Sequence, residues 1–289
     1  MFRNIQFIVL GYIISVFLSI SLSAAENVKE PASKQKTREL VDKAAIIRQL
    51  EQIPKILQNG IAQAQRKAQK KVSEPALNDL YHAIQKSFDS QKLQKKIEEH
   101  IAKKMSNEDV DFVMNWLNSP LGEKILKLED SVSTAEAYEE MQKRKEELSK
   151  DSKRVDQIYK LDQAIQGSKT NLELGINMQF AMAAAMAAVY DPENREILDN
   201  ILKKVEANRP RMEGPIKEST MTSYLYMYRD LETDEIEQYI AFVKSEPGQK
   251  YFNALLESLS SAIMDAARNT GPALTEIIKE KKKEQQNNP

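Results

Sequence analysis

The chain has 289 residues, enough for one or two domains, and 41% of them are hydrophobic, which suffices for a packed core. Eight glycines and ten prolines are too few for the turns of a β-rich protein, whereas the abundant Lys, Glu, Gln, Ala and Leu favour helix. Forty-two basic against 43 acidic residues leave a net charge of −1, so no basic excess marks a nucleic-acid partner, and the lack of cysteine excludes disulfides and lipoprotein anchoring.

The chain opens on a secretory pattern. Arg3 supplies the positive start, an apolar run follows from Ile5 to about Leu22, and Ser21-Leu22-Ser23-Ala24-Ala25 ends in small residues. This predicts a signal peptide over 1–25, cleaved after Ala25. Its removal takes away only Arg3 among the charges, moving the net charge from −1 to −2. Residues 26–36 (ENVKEPASKQK) are polar and read as a flexible leader.

From Thr37 onward helical periodicity takes over. Leu40, Val41, Ala44, Ala45 and Ile47 recur at helical spacing, as do Ile53, Ile56, Leu57 and Ile61, with Pro54 marking a break or first turn. Further amphipathic segments cover 76–88, 93–105 and 110–117, and Pro120 opens a longer helix towards Ser149. Residues 143–154 (KRKEELSKDSKR) carry nine charges in twelve positions, the pattern of an exposed helical connector. Beyond it, 171–190, 195–205, 215–229, 236–243 and 247–277 read as helices. Residues 279–289 (KEKKKEQQNNP) have no apolar side chain and read as a disordered tail. The expected fold is all-α: one helical-bundle module over 37–142, the charged connector, and a second module over 155–278.

The two modules share a motif. Setting Gly122 on Gly248, an offset of 126 residues, superposes Asn107-Glu108-Asp109-Val110 on Thr233-Asp234-Glu235-Ile236, and Val113, Met114, Trp116 and Leu117 on Tyr239, Ile240, Phe242 and Val243. Ser119, Gly122 and Lys124 then meet the identical Ser245, Gly248 and Lys250. Asn107 or Thr233 can cap a helix whose first turn carries two acids at the positive end of its dipole. The apolar and aromatic positions form one buried stripe. Ser119-Pro120 and Ser245-Glu246-Pro247 end that helix and start the next, because proline suits a first turn but not an interior. Gly122 and Gly248 allow close approach just after the corner. Trp116, Ser119, Pro120 and Gly122, with Phe242, Ser245, Pro247 and Gly248, therefore define two tight helical corners.

The two stretches, NEDVDFVMNWLNSPLGEK and TDEIEQYIAFVKSEPGQK, resemble the bacterial family catalogued as domain of unknown function 2059, in two tandem copies. Its core is a cap followed by acids, an aromatic-rich helix and a Ser-Pro-x-Gly corner. The first copy has Trp116-Leu117 where the family favours Phe-Tyr, and the second moves its proline by one place. The resemblance implies an all-α fold in an exported envelope protein, and no activity.

Residues that carry chemistry are scarce. The two histidines, His82 and His100, lack a His-Glu-x-x-His context, and no nucleophile elbow or phosphate-binding glycine loop is present. Met178, Met182 and Met186 share a helix face, but 13 of the 15 residues of INMQFAMAAAMAAVY are apolar, which marks a core helix rather than a Cu(I) site. Tyr224, Tyr226 and Tyr228 cannot share one face of a helix, so some should be exposed or amphipathic at a groove edge. The favoured role of the cluster is ordinary packing against the following hairpin rather than a ligand or partner surface. No catalytic residue, metal or cofactor is expected. The sequence favours a non-enzymatic periplasmic protein, without a stable membrane anchor once the leader is cleaved, that binds a partner envelope protein or assists assembly. The alternative is a carrier of an apolar small molecule, held between the Met/Ala helix and the second corner.

Overall fold

In the computed structural model, the structure describes residues 30–287, apart from 45, 69–70, 133, 192–193 and 195. The expected signal peptide and the first residues of the leader lie outside this range. Fourteen helices are described: α1 (Lys34–Lys43), α2 (Ile46–Leu50), α3 (Ile53–Lys67), α4 (Glu74–Ser87), α5 (Ser90–Lys104), α6 (Asn107–Leu117), α7 (Pro120–Ser131), α8 (Ala135–Leu148), α9 (Ser152–Ile165), α10 (Gly167–Tyr190), α11 (Glu196–Glu206), α12 (Arg209–Met227), α13 (Thr233–Lys244) and α14 (Glu246–Asn287). The fold is all-α; the one extended contact among the described residues is an isolated bridge from Pro31 to Ser106.

That bridge changes the reading of the leader. Ala32 is buried and its amide donates to the Met105 carbonyl at 2.8 Å, while the Ser33 amide donates to Asn107 Oδ1 at 2.9 Å. Ser33 in turn caps α1, so helix begins at Lys34 and residues 31–36 are docked on the start of α6 rather than flexible.

The long α14 and the apolar α10 pack against each other at the centre. Along its length α14 packs on α4, α5 and α6, while α10 packs on α11 and α12 as well as on α3 and α4. By length and composition α10 could cross a membrane, yet 61% of its apolar window is buried. Gly60 lets α3 approach it closely: a Cβ there would lie 2.3 Å from Met182 Sδ of α10. On the methionine face Met178 is buried and Met182 and Met186 pack, partly buried, against the core, with Gln65 Nε2 donating to Met186 Sδ at 3.9 Å.

A single apolar cluster runs from Leu40 in α1 through Val113 and Ile125 to Tyr239, Phe252 and Leu274. The two segments expected to form separate modules therefore share one core. The physical reason is α14: 42 residues of helix carry far more apolar face than their own half can cover, and the first half takes up the excess. A small satellite cluster of Leu172, Ile176, Val205, Met212 and Ile216 ties α10, α11 and α12.

The charged stretch 143–154 is exposed as expected, but it is not a continuous helix. Ser149 ends α8, and Asp151 starts α9 by accepting from the Arg154 amide at 3.0 Å. The helix expected from Pro120 to Ser149 is also broken, with α7 ending at Ser131 and Thr134 capping α8. The tail differs again: α14 continues through Asn287, since Lys, Glu and Gln extend a helix that is already nucleated, and Lys281 pairs with Asp79 of α4.

Candidate functional site

The two corners are built alike, hydrogen bond for hydrogen bond. Ser119 Oγ donates to the Trp116 carbonyl at 2.6 Å and accepts from the Gly122 amide at 3.0 Å. Ser245 Oγ donates to the Phe242 carbonyl at 2.6 Å and accepts from the Gly248 amide at 3.2 Å. A Cβ on Gly122 would lie 2.1 Å from the Trp116 carbonyl oxygen, and one on Gly248 2.2 Å from that of Phe242. The glycines are needed because each corner folds its own backbone back onto that point. Pro120 and Pro247 occupy first-turn positions, where the missing amide leaves no helical bond broken.

The caps sit one residue earlier than the sequence suggested. Ser106 and Glu232 are the capping residues, each in a reciprocal capping box with Asp109 or Glu235, and Asn107 and Thr233 are the first helical residues. Asn107 instead receives the leader through its side chain.

Sequence reasoning did not foresee that the two corners face each other. Trp116 and Phe242, equivalent in the repeat, stack face to face with centroids 3.8 Å apart and planes 5° from parallel. Around them the ion pairs exchange roles. Lys124 of the first corner meets Glu235 of the second at 2.6 Å, and Lys250 of the second meets Asp109 of the first at 3.5 Å. The 126-residue offset carries Lys124 onto Lys250 and Asp109 onto Glu235, so the joint has the i-to-j, j-to-i reciprocity of a two-fold interface within one chain. The hydrogen bond from Lys124 holds the Glu235 carboxyl below its ordinary range. Burial works against the Asp109 carboxylate, but the bonds from Ser106 and the charge of Lys250 outweigh it and lower its pKa as well.

Beneath the stack lies a cavity of about 40 Å³ lined by Trp116, Tyr239, Phe242, Tyr251 and apolar residues, with Glu129 in its wall. Glu129, from α7, is 6% exposed, and its Oε1 accepts from Tyr228 Oη at 2.8 Å and Tyr239 Oη at 3.3 Å. Both tyrosines come from the second half of the chain. Burial pushes the Glu129 carboxyl up to about 7, against the two phenol hydrogen bonds that favour the anion. Burial also raises the hydroxyls of Tyr224, Tyr228 and Tyr239 well above their ordinary value, so they remain donors. Nothing in the sequence singled out Glu129, which sits in a Lys-rich amphipathic stretch like many surface glutamates.

The tyrosine cluster packs against the following hairpin as expected, the Tyr228 ring lying 6.0 Å from that of Tyr239, but no ring is left exposed. Tyr224, Tyr226 and Tyr228 are all buried, at 2%, 8% and 1% exposed. Helix α12 is flanked by α7, α8, α9 and α10, so more than one face is covered, and the Arg229 guanidinium lies 4.2 Å over the Tyr226 ring. Tyr228 falls just past the end of α12, yet its amide still donates to the Tyr224 carbonyl at 2.9 Å and the two rings pack 5.6 Å apart. Among the large apolar side chains, Phe112 remains 44% exposed at the open edge of the joint, its ring stacked on Phe242 at 6.3 Å.

Among the described residues, no group of three or more His, Cys, Asp or Glu is placed to hold a metal ion. His100 meets Glu257 of α14 at 3.4 Å on the surface. No curated protein matches the chain, and no solved structure does. Residues 91–151, which run from α5 through the first corner to the end of the α8–α9 junction, match the model of a family described as an uncharacterized protein conserved in bacteria (DUF2059), the family that the corner motif resembles.

Proposed function

We propose that the chain is a non-enzymatic, exported helical protein of the bacterial cell envelope, that it carries two tandem copies of the matched unit, and that it binds a partner protein or assists assembly. The second copy is supported by the equivalent corner hydrogen bonds and by the reciprocal Lys124–Glu235 and Lys250–Asp109 pairs. Export is supported by the n-region, apolar run and small-residue ending of 1–25.

The observation that carries the partner reading is Phe112. An aromatic ring 44% exposed, backed by the buried Phe242 and stacked Trp116, is the kind of rigid anchor that protein interfaces use. A carrier of an apolar small molecule has less support. On the Met/Ala helix Phe180 is fully buried, and Met182 packs against Gly60 of α3 rather than lining a groove at the second corner. The cavity beside Glu129, about 40 Å³, is well below the roughly 150 Å³ that accommodates benzene in an apolar core. The same size argues against catalysis at Glu129, whose hydrogen-bond partners are two tyrosines rather than a nucleophile or a second carboxylate.

A photo-crosslinking residue at position 112, in the full chain expressed in cells, tests this. The expected result is a discrete protein adduct in the envelope fraction, absent when the same residue stands at exposed Lys283. Equal labelling at both positions, or tight co-purification of an apolar small molecule, would overturn the reading.

A further inference from the structure

Among the described residues, no cation acts on Glu129 from the helices packed around it. Facing it are Tyr224 from α12, Tyr228 just past the end of that helix, Tyr239 from α13 and Tyr251 from α14, while α6 and α2 present Trp116, Leu117 and Ile46. Two neighbouring carboxylates have partners of their own. Asp130 on the same helix pairs with Arg48 at the surface at 3.2 Å, and Asp162 of α9 accepts from Ser168 and acts on Tyr224 rather than on Glu129. An ionised Glu129 therefore has two phenol donors on one oxygen and an apolar wall around the rest. A buried charge so placed is unfavourable unless water reaches it. The adjoining cavity, about 40 Å³, is larger than the roughly 10–15 Å³ one water needs.

We infer that Glu129 is a proton-binding site that controls the joint between the two corners. With the proton bound, the carboxyl is neutral and the Trp116–Phe242 stack closes over a dry cavity. When the proton leaves for solvent, the carboxylate draws water into the cavity and loosens the stack that covers it. Because Phe112 is stacked on Phe242, loosening also changes the anchor surface, and this part rests on the partner reading above. The sense of the effect follows from the geometry. Ionisation is disfavoured in the folded joint, so the closed form is fully favoured in acid and weakens as pH rises through about 7.

The chain has one tryptophan, and it is Trp116, which lines the same cavity as Glu129. Its fluorescence in the full chain, titrated from acid to mildly alkaline pH, reads the joint directly. The expected result is one transition centred near pH 7, with emission moving to longer wavelength as pH rises. Glu129→Gln should abolish it, and Tyr228→Phe should move the midpoint upward by removing a donor to the anion. The double variant His82→Gln, His100→Gln should leave it in place. A flat titration in the unmodified chain, or a transition that survives Glu129→Gln, overturns the proton site. Crosslinking from position 112 at pH 6 and pH 8 separates the two proposals. A fluorescence transition with no adduct at either pH sinks the partner reading and supports the proton site.

Discussion

At Gly122 and Gly248 a side chain is missing because the corner's own carbonyl stands where a Cβ would go, 2.1 and 2.2 Å away. Backbone cannot move aside as the end of a long side chain can, so either glycine changed to alanine should destabilise the fold by about 1–3 kcal/mol. Gly214 is the opposite case in space: it lies inside α12 with nothing beyond its chain neighbours within 4 Å of its Cβ position, so alanine there, restricted only by the following Pro215, should cost less than at either corner. Urea denaturation of the three variants checks the contrast, which disappears if the glycines are merely helix weak points. The corner glycines were legible because a Ser-x-x-Gly spacing is a local feature. The caps were legible only to within one residue, since Ser106 and Asn107 are both capping types and only the packed leader decides between them. Glu129 was not legible, because its burial depends on Tyr228 and Tyr239, about a hundred residues away in sequence.

At the scale of helices, the stack is the contact on which the joint rests. Phe242, 5% exposed, should cost about 3–5 kcal/mol when truncated to alanine, and Trp116, which is only half-buried, should cost less. A double-mutant cycle between them should return a coupling of about 0.5–1.5 kcal/mol, the range for aromatic pairs. Strictly additive losses would mean that the rings touch without supporting each other. The helices themselves were mostly readable from apolar spacing, as α4, α5 and α6 are. Breaks were not. Between α9 and α10 the chain turns at Gln166, a non-glycine residue with φ 55°, and the turn is held by Ser168, whose amide and hydroxyl donate to buried Asp162. Gln166 carries no turn signal, and a single Gly167-Ser168 pair is compatible with a continuing helix. Pro215, expected to open a helix, lies within α12, which had already begun at Arg209. The tail was misread for a different reason. A lack of apolar residues argues against an independent helix but not against extending one already formed.

For the whole molecule, the fold class follows from composition and spacing, whereas the arrangement of its halves does not. Periodicity shows that a helix has an apolar face; it does not say which other face covers it. Here α14 spreads over α4, α5 and α6, and the paired corners fasten α6 and α7 to α13 and α14. The most direct test is equilibrium unfolding in urea at a pH where Glu129 is neutral, followed both by Trp116 fluorescence and by far-ultraviolet circular dichroism. One shared core predicts coincident curves with a single midpoint, because the joint cannot open without exposing the apolar surface that holds the helices. A fluorescence change complete at a urea concentration where most of the helix signal remains would contradict it, and would mean that the two halves are separate domains in contact.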